Sequence, residues 1–135
     1  MRVVFDTNVL VSALLFEDSL PAQAFFFAAR ESEIIISSAL VEEIQEVLNR
    51  PKFDRFMAKN HRENFILSLV ETATLVEIRE TVEVCRDPKD NMILEVAVSG
   101  NAEIIVTGDK DLLVLQPFRG IQILQPRSFL DSHLS

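Results

Sequence analysis

The sequence that decides the fold lies at residues 3–8 and reads Val3-Val4-Phe5-Asp6-Thr7-Asn8. Its β-branched and aromatic residues predict a short buried strand that ends at Phe5, and a polar tip follows before the next apolar run. Because ligands bind beyond the carboxyl ends of the strands in an open parallel sheet, Asp6 is a candidate site residue from its position alone. The alternative is local: Thr7 or Asn8 caps the next helix, and Asp6 only complements the helix dipole.

Strand and helix patterns alternate along the rest of the chain. Further strands are predicted at residues 33–37, 73–78, 103–107 and 121–124. Helices are predicted at residues 9–16, 21–30, 38–49, 65–72, 92–99 and 110–115, and a last short helix begins at Pro126. Such alternation is typical of a parallel sheet with right-handed crossovers. We therefore predict a three-layer α/β sandwich that forms a single domain over residues 1–135.

Composition narrows the class of protein. Apolar residues make up 48% of the chain, which favours a folded domain over disorder. Cysteine occurs once, at Cys85, so neither a disulfide framework nor a cysteine-based zinc site is expected. No run reaches the ~18 apolar residues that a membrane helix needs, and the N-terminus does not resemble a signal peptide. A cytoplasmic protein without a membrane partner is expected.

The net charge of −8 argues against broad electrostatic attraction to nucleic acid. A surplus of acids nevertheless suits a local pocket for a divalent cation. Basic residues gather in the segment 50–62, where Lys52, Arg55 and Lys59 are candidates for contacts with RNA phosphates. The alternative for this segment is an ordinary solvated helix surface.

Residues 25–27 are consecutive phenylalanines within a predicted helix. Neighbouring helix positions point about 100° apart, so these rings cannot all face one core. At least one ring is then exposed or covered by a partner, which indicates a homodimer or a higher homo-oligomer. The alternative is a helix that is buried on all sides.

Acidic residues also lie at the start of a predicted helix and directly after the fourth predicted strand. Asp109 follows the fourth strand, although it could merely cap the short helix after it. Asp87, Pro88 and Asp90 suit the first turn of the helix before that strand, and Asp87 is its expected N-cap. Because this helix is apolar almost all round, we expect it to be buried, and an acid at its N-terminus can then enter the crevice.

One acid of the helix at 38–49 differs from its neighbours. The apolar stripe of this helix leaves Glu42 and Glu46 pointing outward, whereas Glu43 lies at the border of the buried face. Carboxylates that converge from several elements repel one another and raise their own pKa values unless a cation lies among them. Oxygen-only ligands suit Mg²⁺ or Mn²⁺.

Four motifs in this order closely resemble those of PIN-domain nucleases. They are Val-Phe-Asp-Thr-Asn-Val-Leu at 4–10, the segment from Glu43 to Arg-Pro-Lys-Phe at 50–53, Asp-Pro-Lys-Asp-Asn at 87–91, and Val-Thr-Gly-Asp-Lys-Asp-Leu-Leu at 106–113. The resemblance covers essentially the whole chain. Its nearest branch is the toxins of bacterial and archaeal toxin–antitoxin systems.

The resemblance implies a set of site residues and a topology. The catalytic and metal-binding quartet would be Asp6, Glu43, Asp90 and Asp109. Thr7 and Asn8 match polar residues beside the first acid, and Asp111 matches a frequent extra acid. The implied strand order is 3-2-1-4-5, which brings the tips of the first and fourth strands together at the topological switch point.

The implied activity is metal-dependent hydrolysis of RNA phosphodiester bonds by an endoribonuclease, a toxin with a cognate antitoxin. One rival is a hydrolase with a phospho-aspartate intermediate. Such enzymes commonly need a second aspartate two positions later, where this chain has Asn8. The other rival is a catalytically silent PIN-like module that binds RNA or protein.

Overall fold

The computed structural model describes residues 1–133 and contains a five-stranded sheet in which every pairing is parallel. Its strands are β1 (Arg2–Phe5), β2 (Glu33–Ile36), β3 (Thr74–Leu75), β4 (Ile104–Val106) and β5 (Gln122–Leu124). The spatial order is β3-β2-β1-β4-β5, which confirms the predicted topology. The central strands are buried on both faces because their residues are almost wholly apolar, as in Val3 and Val4 of β1.

Helices cover both faces of this sheet. They are α1 (Thr7–Leu15), α2 (Leu20–Glu31), α3 (Ser38–Leu48), α4 (Lys59–Thr72), α5 (Pro88–Ser99), α6 (Lys110–Leu113) and α7 (Pro126–His133). Because β2 and β4 lie on opposite sides of β1, right-handed crossovers place α1 and α2 on one face and α5 on the other. Within residues 1–133 no single helix is long and apolar enough to span a membrane; α1 and α2 pass that test only as a pair bent by 102°.

The predicted boundaries are wrong in the middle of the chain. The helix α4 begins at Lys59 rather than at residue 65, and β3 has only two residues rather than the predicted six at 73–78. After β3, Val76 N still donates to Ile36 O at 2.8 Å, and the backbone farther on bonds to side chains of α5. Arg79 N donates to Ser99 Oγ at 2.9 Å, and Val82 N donates to Glu95 Oε2 at 2.9 Å.

The first and sixth helices also differ slightly from prediction. The helix α1 begins at Thr7, directly after Asp6, rather than at residue 9, and α6 ends at Leu113 rather than at residue 115. The predicted cap of α5 is confirmed, since Asp87 Oδ1 accepts a 3.0 Å hydrogen bond from Lys89 N. The cap satisfies a backbone donor that the helix itself leaves free.

The phenylalanine cluster of α2 divides between core and surface. Phe25 is buried, Phe27 is partly buried, and Phe26 is 47% exposed. This division agrees with the expectation that one ring faces away from the core. The homodimer inferred from it stays a prediction.

Candidate metal centre

The tips of β1 and β4 are joined by hydrogen bonds that place their polar residues side by side. Asp6 N donates to Val106 O at 3.0 Å, which continues the pairing of the two strands by one residue. Thr107 Oγ1 then donates to Asp6 Oδ2 at 2.7 Å and accepts from Asp109 N at 3.0 Å. Thr107 is fully buried, so its hydroxyl links the first and fourth strand acids at the switch point.

A third acid enters from the first turn of α5. Asp90 is only 6% exposed, and it can offer a carboxylate oxygen to a cluster with Asp109 and Asp111 in which the ligand atoms lie within 4.8 Å of one another. Asp109 also caps α6, because its Oδ1 accepts from Asp111 N at 2.8 Å. The capping role and the site position are therefore compatible in this residue. The carboxylate of Asp111 is further held by Arg86, at 3.2 Å.

Burial and mutual repulsion shift the acids toward their protonated forms. Burial, a hydrogen bond with Asp109 and the negative charges of Asp109 and Asp6 raise the pKa of Asp90 to about 7. Burial also raises the pKa of Asp6, and the negative charges of Asp109 and Glu43 raise it further. The hydrogen bond from Thr107 opposes this shift of Asp6. The protein groups around these acids do not fully compensate their negative charge.

Glu43 reaches the site from α3, as the helical period predicts. Its side chain is 12% exposed, whereas Glu42 and Glu46 point into solvent. Thr7 Oγ1, at the start of α1, donates to Glu43 Oε2 at 2.8 Å. Lys89 Nζ lies 3.4 Å from the other oxygen, Oε1. Two neighbouring helices therefore fix both oxygens of Glu43.

A cleft of about 540 Å³ opens beside Asp6 and Asp109. Its walls are polar and apolar residues of α1, α2 and α7, including Asn8, Ser12, Leu20 and Pro21, and Arg127 lies at its rim. Arg127 makes no salt bridge within residues 1–133. The cleft thus combines acids at one side with a free cation at another, an arrangement that suits a phosphate group next to a bound metal ion.

Sequence reasoning missed several of these residues. Thr107 and Lys89 lie inside the quoted motifs, but their contacts depend on which elements meet in space. Arg127 follows Pro126 in a segment that carries no motif. Each could have been found only by asking which polar residues adjoin the strand tips.

The three basic RNA-contact candidates lie outside the acidic cluster. Lys52 belongs to a short 3-10 helix (Pro51–Phe53), Arg55 to the turn after it, and Lys59 to the start of α4. None of them forms a salt bridge with an acid of residues 1–133. Arg62, from the same basic segment, is instead buried against Asp54.

A family model described as a PIN domain matches residues 2–111. The chain belongs to the PIN domain family. This match spans all four acids of the predicted quartet, and it confirms the resemblance to PIN-domain nucleases. The individual roles of the four acids stay predictions.

Other proteins are similar to this chain in sequence or in fold. An uncharacterized protein of Methanocaldococcus jannaschii is 32% identical over 118 residues, which cover 86% of this chain and 76% of the relative. The crystal structure of VapBC2 from Rickettsia felis, bound to a DNA fragment from its promoter, superposes with a TM-score of 0.62 at 14% identity. That superposition covers 91% of this chain and 97% of the other. The crystal structure of PAE2754 from Pyrobaculum aerophilum gives a TM-score of 0.65 at 15% identity, covering 100% and 91%. At these identities the two structures support the fold alone.

Proposed function

We propose that this PIN domain, taken as the whole of residues 1–135, is an endoribonuclease that hydrolyses RNA phosphodiester bonds with Mg²⁺ or Mn²⁺. The observation that carries the proposal is the convergence of Asp6, Asp90 and Asp109 at the switch point between β1 and β4. Glu43 borders the same site from α3. Such a set is characteristic of hydrolases that use a hard divalent cation.

The donor set fits a divalent cation. Only carboxylate oxygens are offered by the acids at the site. The pKa values of Asp6 and Asp90 are raised first by burial and then by neighbouring negative charges, and a bound cation would offset both effects. We assign metal binding to Asp6, Glu43, Asp90 and Asp109, with Asp111 as an added acid beside Asp90 and Asp109. When bound, the metal ion would lower the pKa of a coordinated water and stabilise charge on the phosphate.

Other residues of the chain hold these acids and the substrate. Thr107 fixes one oxygen of Asp6, and Thr7 fixes one oxygen of Glu43, so neither carboxylate rotates freely. Asn8 lines the cleft, where its amide can orient a water or a carboxylate. Arg127 at the cleft rim and Lys89 beside Glu43 are placed to contact phosphate oxygens of the RNA.

We further propose that the enzyme is the toxin of a cytoplasmic toxin–antitoxin pair. Support comes from the resemblance of its motifs to that branch of the family and from the similar fold of VapBC2 from Rickettsia felis. The cognate antitoxin would be its protein partner. The exposed ring of Phe26 supports a homodimer or a higher homo-oligomer, since a half-exposed phenylalanine is a common interface residue.

Two rivals use the same residues differently. A phospho-aspartate hydrolase would form a covalent intermediate at Asp6, and Asn8 occupies the position where such enzymes commonly have a second aspartate. A silent RNA- or protein-binding module would keep the acids without turnover. The four acids and the hydrogen bonds that position them favour the nuclease over both rivals.

The test is cleavage of total RNA and purified tRNA by wild type, Asp6→Asn and a control, Asp131→Asn. Asp131 is an exposed acid of α7, so the control carries the same chemical change away from the cluster. The three proteins are purified identically and assayed with Mg²⁺ or Mn²⁺ and then with EDTA. We expect wild type and Asp131→Asn to cut, Asp6→Asn to be inactive, and EDTA to abolish cleavage.

Three results would contradict the proposal. Equal cleavage by all three proteins would identify a contaminating nuclease. No cleavage by wild type, with no rise in thermal stability on adding metal, would leave a binding module as the better account. A phosphorylated form trapped at Asp6 would favour the phospho-aspartate hydrolase.

A further inference from the structure

Two exposed phenylalanines from distant parts of the chain meet on the surface. Phe16 follows the last residue of α1, and Phe56 lies in the turn before α4. Their rings pack edge to face with centroids 6.3 Å apart, although each side chain remains half exposed, at 50% and 51%. The guanidinium of Arg55 lies 5.1 Å from the centre of the Phe56 ring. This contact leaves an aromatic pair with a cation beside it.

The segment around Phe56 is the most basic part of the chain. Residues 50–62 contain five of the 13 lysines and arginines of the protein and one acid, Asp54. Asp54 pairs with the buried Arg62. The remaining cations make no salt bridge within residues 1–133; they are Arg50, Lys52, Arg55 and Lys59. In a chain of net charge −8, this is a local surplus of uncompensated positive charge.

The aromatic pair continues a row of residues that begins in the cleft. Asn8 and Ser12 line the cleft beside Asp6, and Phe16 is the next member of the same i, i+4 row. Phe16 N still donates to Ser12 O at 2.9 Å, and the chain leaves the helical conformation at Phe16 itself, the C-cap of α1 (φ −130°, ψ 87°). At a rise of ~1.5 Å per residue, Phe16 lies roughly 12 Å along α1 from Asn8. This distance is within the span of a few nucleotides.

We propose that Phe16 and Phe56, together with Lys52, Arg55 and Lys59, bind a single-stranded segment of the RNA substrate outside the cleft. We call these five residues the aromatic–basic surface. Exposed rings stack on unpaired bases, while neighbouring cations contact the phosphates without reading the sequence. In a duplex the bases stack on one another, so they expose few faces on which the phenylalanine rings can stack. The inference rests on the proposed function, and it adds a surface outside the cleft that holds the strand.

The charges favour RNA over a protein as the occupant. The acids nearest to Phe16 in sequence are Glu17 and Asp18, in the turn beyond it, while the unpaired cations lie on the Phe56 side. RNA matches the aromatic pair, because its bases can stack on the rings, and it matches the cations, because its phosphates are negative. A second copy of this chain is also negative overall, at −8, but it has no unpaired bases to stack on the rings and no regular row of phosphates for the cations.

The experiment measures binding without cleavage. The full chain carries Asp6→Asn, the buffer contains EDTA, and fluorescence anisotropy follows a labelled 12-nucleotide RNA of mixed sequence, either single-stranded or annealed to its complement. Phe16→Ala and Phe56→Ala test the rings. Phe118→Ala is the matched control, because Arg119 lies over its ring at 5.3 Å and it precedes β5, at the opposite edge of the sheet.

We expect Phe16→Ala and Phe56→Ala each to weaken single-strand binding roughly five-fold or more, and Phe118→Ala to leave it unchanged. Phe56→Trp should retain the affinity and Phe56→Leu should lose it, since leucine keeps apolar area but offers no aromatic face. Binding of the duplex should be weaker and insensitive to these changes. Thermal melting of each variant checks that it is folded.

The charged residues have a separate readout. Arg55→Gln should reduce the slope of log affinity against log salt concentration by about 0.7, the value for one phosphate contact with a single strand. Arg79→Gln is its control, because Arg79 is an exposed arginine of the segment after β3, near the C-terminus of α5. An unchanged slope for Arg55→Gln would contradict the phosphate contact.

Other outcomes overturn the inference as a whole. The parent protein here is the one that carries Asp6→Asn alone. The inference fails if the parent does not bind the single strand, or if the parent, Phe16→Ala and Phe56→Ala bind it equally. It also fails if the duplex binds more tightly than the single strand. A parent that is dimeric by light scattering, with monomeric Phe16→Ala and Phe56→Ala variants of unchanged RNA affinity, would assign the surface to a second copy. Because binding is measured without metal, these results are independent of whether the wild type cleaves RNA.

Discussion

The hydroxyl of Thr7 donates a 2.8 Å hydrogen bond to Oε2 of Glu43, a residue 36 positions later in the sequence. This contact joins the first residue of α1 to the middle of α3, and it leaves Lys89 as the partner of the other oxygen. A carboxylate fixed at both oxygens has little freedom to rotate. The hydrogen bond therefore predicts that Thr7 positions Glu43 rather than reacting itself.

We expect Thr7→Val to lower RNA cleavage roughly ten-fold, because it keeps the shape of the side chain and removes the donor to Glu43. Thr7→Ser keeps the hydroxyl and should retain most of the activity. The measurement is the Mn²⁺ dependence of cleavage rate for the two variants and wild type. Equal rates for Thr7→Val and Thr7→Ser would show that the hydrogen bond has no part in catalysis.

The raised pKa of Asp90 predicts how the stability of the metal-free protein depends on pH. Its pKa is about 7 in the folded protein, whereas the ordinary value of an aspartate is 3.8. A folded state that binds the proton more tightly gains stability from it below pH 3.8, and this gain is lost as pH rises toward and past 7. Metal-free wild type should therefore lose stability between about pH 4 and pH 7 on this account.

Asp90→Asn removes this titration and should flatten the pH dependence. We expect the variant to be more stable than wild type at pH 8 in EDTA. This difference in the free energy of unfolding should shrink toward pH 5, and it should also shrink when Mg²⁺ is added. Urea unfolding at pH 5, 6, 7 and 8 gives the free energies of unfolding, with Asp131→Asn as the control. The idea fails if Asp90→Asn and wild type change in parallel across this range.

The ion pair between Lys89 and Glu43 places a positive charge beside the proposed metal ligands. Removing the charge in Lys89→Met should raise the affinity for Mn²⁺ roughly three-fold, because the cation no longer competes for Glu43. The RNA concentration at half-maximal rate should rise, since the proposed contact of Lys89 with an RNA phosphate is lost. Metal titrations followed by thermal melting report the first effect, and a weaker Mn²⁺ affinity in Lys89→Met would contradict it.

The sequence predicts the inward acid of α3 from a local pattern, whereas the strand order is implied by the resemblance to PIN-domain nucleases. The apolar period of α3 is regular, so the direction of Glu43 follows from position alone. Thr107 shows the limit of such reasoning, because its partner Asp6 lies 101 positions away and becomes a neighbour only when β1 and β4 pair. No local pattern distinguishes a threonine that links two acids from one that merely ends a strand.

The predictions for the middle of the chain also differ from the structure because of tertiary contacts. A run of basic residues reads as a solvated surface, yet Arg62 is 2% exposed because its guanidinium meets Asp54 and the carbonyl of Leu48. The segment after the short third strand follows α5, where side chains accept hydrogen bonds from the backbone donors of Arg79 and Val82. Both features are tertiary contacts that override local propensity.

Gly100, directly after α5, packs against Ile35 of β2. An added Cβ would be 2.6 Å from Ile35 Cγ2 and 3.1 Å from the carbonyl oxygen of Val96. Because Ile35 is fully buried, it cannot move away freely, and we expect Gly100→Ala to lower the free energy of unfolding by roughly 1–3 kcal/mol. Gly108→Ala is the control, since its Cβ would meet nothing within 4 Å. Equal denaturation midpoints in urea for the two variants would contradict this steric account.

Arg62 connects the stability of the fold to the aromatic–basic surface. Its guanidinium donates 2.5 Å hydrogen bonds to Leu48 O, at the end of α3, and to Asp54 Oδ1, within the segment that carries Lys52 and Arg55. Arg62→Ala removes both bonds and leaves a buried volume unfilled, so we expect a loss of roughly 3 kcal/mol in the free energy of unfolding. Asp54→Asn should cost less than about 1 kcal/mol, because the side chain of Asp54 is 66% exposed.

Comparing Arg62→Ala with Asp54→Asn distinguishes the hydrogen bond of Arg62 to Leu48 O from its ion pair with Asp54. If Arg62 acts mainly by holding Leu48 O and filling the core, urea denaturation will show a large loss only for Arg62→Ala. Comparable losses in the two variants would assign the stability to the ion pair instead. Where Arg62→Ala remains folded, it should also weaken binding of single-stranded RNA, because the turn that presents Arg55 and Phe56 loses its attachment to α3 and α4.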